Sequence, residues 1–261
     1  MTPSTCTPRN VPWRRLGAAL ALALPVAATQ AACLDDAQVA ALYAAYQART
    51  PAATPEGLST ADGECTRAKF QALLGQQLGA PVGYKAGLTN PAVQKRFNAD
   101  APVWGMLYAP MLLPEDSTVD PAFGARALYE ADLLVRVSSS AINQATTPMQ
   151  VLAAIDQVIP FIELPDLMVQ APPKLNGAAV AAINVGARLG VVGKPIPVEA
   201  TPAFSDRLRD MEVLLMANGS EVDRGKGSDV LEHPLNAVVW LARDLAKHGL
   251  AMKPGDLISL G

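Results

Sequence analysis

The hydrophobic periodicity of this chain changes near residue 127, and this change constrains the fold more than any other feature. Before it, apolar residues recur every three or four positions over Leu34–Arg49 and near Thr66–Leu78, which is the spacing of amphipathic helices. After it come short apolar runs bounded by Pro and Gly, beginning with ALYEADLLVRV at Ala127–Val137, and such runs are typical of strands. The pattern predicts an α+β fold in which a helical N-terminal part precedes a mixed, strand-rich core.

Three local signals add detail to the second half. The segment PMQVLAAIDQVI (Pro148–Ile159) predicts a helix. A later helix is expected over Pro234–His248, with its end at Gly249. Two apolar runs flank Asn218-Gly219, which is the strongest short signal of a type I′ hairpin.

The first 31 residues have the layout of a secretory signal peptide. A head with three arginines and no acidic residue precedes an apolar run of 13 residues, Leu16–Ala28, and the small residues TQAA follow. The run is shorter than the roughly 20 apolar residues of a membrane span. We therefore expect a periplasmic or secreted protein, with a cytoplasmic location as the alternative. The expected organisation is a signal peptide over residues 1–31, a helical part over 32–115 and a mixed, strand-rich core over 116–261.

The charge balance excludes nucleic acid as a partner. Three of the 21 basic residues lie in the leader and all 24 acidic residues follow it, so the mature chain is acidic. Such a chain has no excess of positive charge for a phosphate backbone. With 50% hydrophobic and 17% charged residues it is also not a disordered chain. We expect no transmembrane domain in the mature chain.

Cysteine usage agrees with export. Cys6 leaves with the leader, and the remaining pair, Cys33 and Cys65, predicts one disulfide in an oxidising compartment. Two alternatives stay open: Cys33 is the lipidated cysteine of a lipoprotein, or both thiols are free and structural.

Two carboxylates share one face of the predicted strand ALYEADLLVRV. Because side chains alternate along a strand, Glu130 and Asp132 point the same way, flanked on that face by Leu128 and Leu134. Burying two carboxylates is costly without a partner, and Mg²⁺ or Mn²⁺ relieves that cost because both prefer hard oxygen ligands. A third carboxylate, Glu163, lies in the apolar run PFIEL. The alternative is a solvated strand face, since E-x-D is a weak signal.

Lys85 lies among small residues in the segment GYKAGLT. It is a candidate buried cation for an anionic substrate, and a surface lysine is the alternative. The sequence contains no G-x-S-x-G, Walker or dinucleotide-binding fingerprint, which argues against hydride transfer and P-loop chemistry.

Five segments, taken in order, carry a resemblance to a known family. They are GYKAGLTNPAVQKRF, DAPVWGMLYAPM, YEADLLVRV, IPFIELPDL and the C-terminal run that begins VDRGKGSDVLEHPLNAVVWLA. Together they resemble the 2-oxo-4-pentenoate hydratase and 4-oxalocrotonate decarboxylase branch of the fumarylacetoacetate hydrolase superfamily. The resemblance implies a helical N-terminal part on a mixed β-roll of that superfamily's C-terminal-like type. It also implies one Mg²⁺ or Mn²⁺ held by Glu130, Asp132 and Glu163, with Lys85 as the catalytic lysine.

The resemblance also implies an activity in aromatic catabolism. The expected enzyme is a metal-dependent hydratase-like lyase, or a related decarboxylase. Its substrate is a short unsaturated 2-oxo acid of the 2-oxopent-4-enoate type, which reacts through a metal-stabilised enolate. A homo-oligomer is expected. The expected pocket residues are Leu88, Trp104, Leu107, Asn184 and Ser228, and for Trp104 a plain core position is the alternative.

Departures from the family pattern keep other functions open. Asp132 stands where a second glutamate is usual, and Val103 and Ile183 stand where acidic residues are usual. The run DLISLG ends the chain where family members continue, so a truncated C-terminus is expected. The alternatives are an exported non-catalytic 2-oxo-acid binder or degenerate relative, and an acylpyruvate-type C–C hydrolase.

Overall fold

The structure, a computed structural model, describes Met1 and residues 33–261. Apart from Met1, the leader predicted over residues 1–31 lies outside the described residues. The α-helices of the described chain are α1 (Asp36–Ala48), α2 (Thr60–Leu78), α3 (Pro91–Arg96), α4 (Pro148–Leu152), α5 (Gly177–Ala182), α6 (Pro202–Asp210) and α7 (Leu235–Lys247). Its strands are β1 (Pro81–Gly87), β2 (Val103–Tyr108), β3 (Leu112–Leu113), β4 (Glu130–Val137), β5 (Ile155–Leu164), β6 (Leu189–Val192), β7 (Ile196–Pro197), β8 (Glu212–Ala217), β9 (Ser220–Lys226) and β10 (Leu257–Ser259).

The first two helices begin at capping boxes. At α1, Asp35 and Gln38 each accept a hydrogen bond from the other's backbone N–H, at 2.8 and 2.9 Å. Ser59 and Asp62 make the same exchange at α2. These side chains satisfy N–H groups that lack a partner in the first turn of a helix. For this reason α2 begins at Thr60, ahead of the start near residue 66 that its apolar spacing predicts.

A disulfide joins the segment before α1 to α2. Cys33 and Cys65 are linked across a Cα–Cα distance of 5.5 Å. Beside this link, the backbone N–H of Leu34 donates to Thr66 Oγ1 at 3.1 Å. The segment that begins at Cys33 is therefore attached to the middle of the helical N-terminal part.

One mixed sheet of eight strands organises the described chain. Its order is β2-β1-β10-β4-β5-β6-β3, with β7 beside β5. The β1–β10 and β3–β6 pairs are parallel, and the other pairs are antiparallel. The boundary predicted near residue 115 falls between β3 and β4. The strands β1 and β2, which precede this boundary, nevertheless lie in the same sheet as the strands that follow it. The predicted α+β class with a mixed sheet is confirmed.

Apolar clusters form on both faces of this sheet. On one face, Val135 of β4 packs in a cluster that includes Leu241 of α7. On the other, Leu134 belongs to a cluster that includes Phe70 of α2. Adjacent residues of a strand point to opposite faces, which explains why these two neighbours enter different clusters.

The helix predicted over Pro148–Ile159 is wrong in its second half. The helix α4 ends at Leu152, and β5 begins at Ile155. Ile159 is buried and lies opposite Leu134 of β4. Pairing with β4 buries this segment in the sheet, and that long-range contact outweighs the local helical spacing.

The hairpin and the last helix agree with their local signals. The strands β8 and β9 form a separate two-stranded sheet. Their turn contains Asn218 and Gly219 at φ values of 52° and 79°, as a type I′ turn requires. The helix α7 ends at Lys247, shortly before Gly249 at φ 68°. Among the helices of residues 33–261, none combines the length and apolar character that crossing a membrane requires.

Candidate active site

A cavity of about 480 Å³ brings four predicted charged side chains together: Lys85, Glu130, Asp132 and Glu163. Glu130 and Glu163 are directly opposed partners on antiparallel β4 and β5, so their side chains share one face of the sheet. Asp132 follows two positions later on that face. Lys85 lies on β1 in register with Ser259 of β10, the strand between β1 and β4. The sheet order therefore assembles a site from segments far apart in the chain.

Lys85 and Glu163 form a buried ion pair. Lys85 Nζ lies 2.6 Å from Glu163 Oε1, and the two side chains are only 5% and 2% exposed. Burial alone would lower the pKa of Lys85, but the three carboxylates around it together raise that pKa above its usual value. Burial also raises the pKa of Glu163 to about 7, and Lys85 opposes that rise. Lys85 therefore remains an ammonium ion at neutral pH.

Asp132 is held in place by the last residues of the chain. Ser259 Oγ donates to its Oδ2 at 2.5 Å. The backbone N–H groups of Gly261 and Leu133 donate to its Oδ1 at 2.9 and 2.6 Å. Burial raises the pKa of Asp132, although these hydrogen bonds oppose the rise. The carboxylate has a defined orientation because both of its oxygens have donors.

The donor set of this cavity fits a hard divalent cation. Glu163 Oε2 is buried and has no hydrogen-bond partner within the described chain. A buried polar atom ordinarily has a protein, water or ion partner, so this oxygen calls for a ligand. The three carboxylates and one ammonium leave a formal charge of −2, which one divalent cation would neutralise. Carboxylate oxygens are the ligands that Mg²⁺, Mn²⁺ and Ca²⁺ prefer.

A second acidic cluster lies away from this cavity. Among residues 33–261, the ligand atoms that all lie within 4.8 Å of one another belong to Glu64, Asp244 and His248, and not to the cavity carboxylates. Arg67 Nη2 lies 3.4 Å from His248 Nε2, and Lys247 Nζ donates to Asp244 Oδ1 at 2.7 Å. Two cations thus already balance the two carboxylates. This cluster fits a structural role better than a metal site.

The predicted apolar pocket residues divide between the cavity and the core. Leu88 lines the cavity. Trp104 and Leu107 of β2 are instead buried in two different apolar clusters. The reason is the sheet order, in which β2 is an edge strand and β1 separates it from the strands that carry the carboxylates. For Trp104, the structure places the side chain in the core, which was the alternative position.

Asn184 and Ser228 are described residues that also lie outside the lining of this cavity. Asn184 Oδ1 accepts hydrogen bonds from Gln71 Nε2 and from the backbone N–H of Met106, each at 2.8 Å. Its Nδ2 donates to the carbonyl of Met106 at 3.0 Å. These bonds use the amide to join α2 to β2. Ser228 lines a separate groove that also contains Trp240.

Several cavity residues were not predicted from the sequence. Val185 lines the cavity at φ 55°, a strained value for a β-branched residue. Arg96 and Lys226 line it as well. Ser259 donates a hydrogen bond to Asp132 from the run DLISLG, in which the sequence pattern indicates no site residue. A pattern search finds none of these, because each reaches the site through the packing of distant segments.

The fold and this cavity define an α+β protein with an acidic cavity on a mixed sheet, and two solved structures share that fold. The 4-oxalocrotonate decarboxylase from Pseudomonas putida G7, complexed with magnesium and adipate, matches with a TM-score of 0.75 and 26% identity, over 88% of this chain and 89% of that one. The fumarylpyruvate hydrolase from Pseudomonas aeruginosa, in complex with Mn²⁺ and pyruvate, matches with a TM-score of 0.50 and 16% identity, over 68% and 76%. At that identity the second likeness concerns the fold alone.

Curated relatives show which enzymes the sequence is similar to. The chain is 30% identical over 183 residues to the 2-keto-4-pentenoate hydratase of Paraburkholderia xenovorans (strain LB400), covering 69% of this chain and 65% of that protein. It is 30% identical over 180 residues to the 4-oxalocrotonate decarboxylase of Pseudomonas putida, covering 69% and 66%. No protein-family model matches the chain. The chain spans just under two thirds of the length of these curated relatives, and in sequence and fold it is similar to the 2-keto-4-pentenoate hydratases and 4-oxalocrotonate decarboxylases.

Proposed function

We propose that this protein is a metal-dependent hydratase-like lyase that acts on a short unsaturated 2-oxo acid. The observation that carries the proposal is the buried pair of Lys85 and Glu163 at 2.6 Å, in an acidic cavity where Glu163 Oε2 has no partner within the described chain. The curated hydratases and decarboxylases at about 30% identity support the class of reaction.

The proposed metal ligands are Glu130, Asp132 and Glu163. Their support is the hard oxygen donor set and the net negative charge of the cavity. The 4-oxalocrotonate decarboxylase from Pseudomonas putida G7 has been solved with magnesium and with calcium, which favours a divalent cation without selecting one. When bound, such a cation supplies Lewis-acid polarisation of a ketone oxygen.

Lys85 has the proposed role of binding the acid group of the substrate. Its ammonium is buried, and the surrounding carboxylates raise its pKa, so Nζ keeps its proton at neutral pH. An ammonium of this kind donates charge-assisted hydrogen bonds to a carboxylate. Glu163 orients the ammonium through the 2.6 Å contact. A substrate carboxylate that enters the cavity then meets a cation already fixed in position.

The apolar walls of the cavity have the proposed role of keeping water out. Leu88, Val180, Val185 and Leu260 line the same space as the charged residues. Excluding water lowers the local dielectric, and this strengthens the attraction between Lys85 and a bound carboxylate.

An absorbance assay tests this function. The full chain, supplied with Mg²⁺ or Mn²⁺, is mixed with 2-hydroxypenta-2,4-dienoate, and we expect steady loss of the dienol absorbance. Lys85→Met should lower kcat/KM about 10²-fold or more, because it removes the ammonium that binds the substrate carboxylate and leaves Glu163 without its buried partner. Lys95→Met is the matched control, because Lys95 is exposed and lies outside the cavity lining, and it should retain activity. Tight Mn²⁺ binding with no dienol consumption would instead identify a non-catalytic binder.

The proposal places the mature protein outside the cytoplasm. Its support is the basic, apolar and small-residue order of the leader, together with the link between Cys33 and Cys65, which suits an oxidising compartment. N-terminal sequencing of the protein from a periplasmic fraction should find a start at or near Ala32. Uncleaved protein confined to the cytosol would refute export.

A further inference from the structure

Asp132 has the shortest side chain of the three proposed metal ligands. It carries one methylene fewer than Glu130 and Glu163, so its carboxylate lies closer to its own strand. A glutamate can redirect its carboxylate through an additional torsion, whereas an aspartate has fewer conformations available. Asp132 is also buried, at 9% exposure. Its aim toward the cavity therefore depends on the groups packed around it.

The hydrogen bonds on Asp132 leave one acceptor position open. An ionised carboxylate has about four lone-pair sites on its two oxygens. Within the described chain, the backbone N–H groups of Leu133 and Gly261 occupy the sites of Oδ1, at 2.6 and 2.9 Å. Ser259 Oγ occupies one site of Oδ2, at 2.5 Å. The remaining site, on Oδ2, is therefore the one that can accept a ligand.

Ser259 reaches Asp132 from the neighbouring strand. Its register partners are Lys85 on β1 and Leu134 on β4, so β10 holds it between the strands that carry the buried lysine and the aspartate. Its exposure is 0% and, among residues 33–261, it lies outside the lining of the cavity. Ser259 can therefore act on a ligand in the cavity only through Asp132.

The residues after Ser259 hold the same carboxylate. The backbone N–H of Leu260 donates to the carbonyl of Leu133 at 3.1 Å, which keeps the chain alongside β4. Gly261 then donates to Asp132 Oδ1 at a φ of 87°, in the left-handed region that favours glycine. Neighbouring backbone therefore fixes Oδ1, and the serine hydroxyl fixes Oδ2.

We propose that Ser259 is a positioning residue, which holds Asp132 Oδ2 toward the metal ion and offsets the shorter side chain of this ligand. The inference rests on the proposed function, in which Asp132 is a metal ligand. Without the hydroxyl, Asp132 would keep its two N–H donors on Oδ1, and the carboxylate could pivot about that oxygen. Removing a partner that orients a ligand in this way typically lowers metal affinity by roughly 10- to 100-fold.

A glutamate at position 132 removes the need for this support. Its longer side chain carries the carboxylate past the serine and into the cavity, which has a volume of about 480 Å³. We therefore expect the effect of Ser259 on metal affinity to depend on which acid stands at position 132. Coupling of this kind between two neighbouring side chains is what a double-mutant cycle measures.

Calorimetric titration of the full chain with Mn²⁺ tests the proposal in four proteins: the unmodified chain, Ser259→Ala, Asp132→Glu and the double variant Asp132→Glu/Ser259→Ala. We expect Ser259→Ala to lower the affinity about tenfold, and Asp132→Glu to stay within about twofold of the unmodified chain. Adding Ser259→Ala to Asp132→Glu should cost less than about twofold. Ser205→Ala is the matched control, because its hydroxyl is also buried and lies 3.0 Å from His233 Nε2, and it should leave the affinity unchanged.

The outcomes separate the positioning role from the function beneath it. An equal loss of affinity in both backgrounds, or no loss in either, overturns the role of Ser259 and leaves the proposed function standing. Loss of Mn²⁺ binding in Asp132→Glu alone overturns it too, because a glutamate would then not replace the supported aspartate. Failure of the unmodified chain to bind Mn²⁺ overturns the proposed metal ligands and this inference together.

A second variant keeps the test independent of folding. Ser259→Cys fills the buried space that Ser259→Ala empties, and a thiol is only a weak donor. It should therefore show the same loss of Mn²⁺ affinity even where the alanine variant is too unstable to titrate. Unchanged affinity in a folded Ser259→Cys protein would contradict the proposal.

Discussion

Two clusters each place a buried cation among carboxylates, and they differ in how completely their buried polar atoms are paired. The Arg67 cluster consists of Glu64, Arg67, Trp104, Asp244 and His248. Within it, Asp244 Oδ2 accepts from Trp104 Nε1 at 2.8 Å and Oδ1 accepts from Lys247 Nζ at 2.7 Å. In the cavity, by contrast, Glu163 Oε2 has no partner among the described residues. Among the described residues, every buried side-chain polar atom of the Arg67 cluster therefore has a partner, whereas one oxygen in the cavity has none.

The pKa values of the two buried cations shift in opposite directions. Burial lowers the pKa of Arg67 to about 10, although Glu64 and Asp244 oppose the shift. Burial also acts to lower the pKa of Lys85, but three carboxylates outweigh it and the pKa rises. Arg67 also lies 3.6 Å above the Trp104 ring, a contact that needs no excess of acid. Surplus negative charge, and not burial of a cation, therefore distinguishes the cavity from the Arg67 cluster.

Loss of the disulfide should have the largest effect of these changes. It should lower stability and leave metal binding unchanged. Replacing Cys33 and Cys65 with serine opens a link across a sequence separation of 32. By loop entropy this should lower the free energy of unfolding by about 3–4 kcal/mol. Urea denaturation measures this loss. Mn²⁺ affinity, measured by calorimetry on the folded variant, should be unchanged, and a fall in affinity would show that α2 and the cavity are coupled.

Asp244→Ala should destabilise the Arg67 cluster and spare the cavity. The change leaves the buried Trp104 Nε1–H without its acceptor, and we expect a loss of about 2 kcal/mol in the free energy of unfolding. Asp206→Ala is the control, because Asp206 is exposed and its ion pair with Arg209 contributes little. Denaturation curves that coincide for the two variants would contradict a structural role for the cluster.

Glu163→Gln should weaken metal binding in the cavity, whereas Asp244→Ala acts on stability. It removes a ligand and a charge while keeping the shape of the side chain, so Mn²⁺ affinity should fall at least tenfold, or about 1.4 kcal/mol. Glu64→Gln makes the same change in the Arg67 cluster and should leave the affinity as it is. Calorimetric titration of both variants decides between the sites. An equal loss of Mn²⁺ affinity in both variants, or a loss in Glu64→Gln alone, would show that the cavity carboxylates are not the metal site.

His233 should give the smallest effect, through pH. Its ring contacts Ser205 Oγ at 3.0 Å, and burial lowers the pKa of His233 below its usual value. At acidic pH the unfolded chain therefore binds a proton at His233 more readily than the folded chain does. The contribution of His233 to stability is present above the usual histidine pKa, and it is lost as the pH falls below that value. Comparing melting temperatures at pH 7.5 and 5.5, we expect a smaller drop for His233→Gln than for the unmodified chain. Equal drops in melting temperature for the variant and the unmodified chain would show that His233 does not contribute to the pH dependence of stability.

Much of the fold follows from local patterns, and the site follows only in part. The capping residue Ser59 and the Asn218-Gly219 turn act within a few residues, so the sequence around them is sufficient. The shared strand face of Glu130 and Asp132 likewise follows from alternation. The early start of β5 does not, because its pairing partner lies on another segment.

The sequence by itself determined the fold class, the two acidic residues on one strand face, and the choice of Lys85 and Glu163 as candidates. Their contact at 2.6 Å was decided by the tertiary structure, because β1 reaches β5 only through β10 and β4. Tertiary structure likewise placed Trp104 in the core and brought Arg96 and Lys226 into the lining of the same cavity as Lys85. Periodicity records which side of its own element a residue faces, whereas these contacts depend on how separate elements pack together.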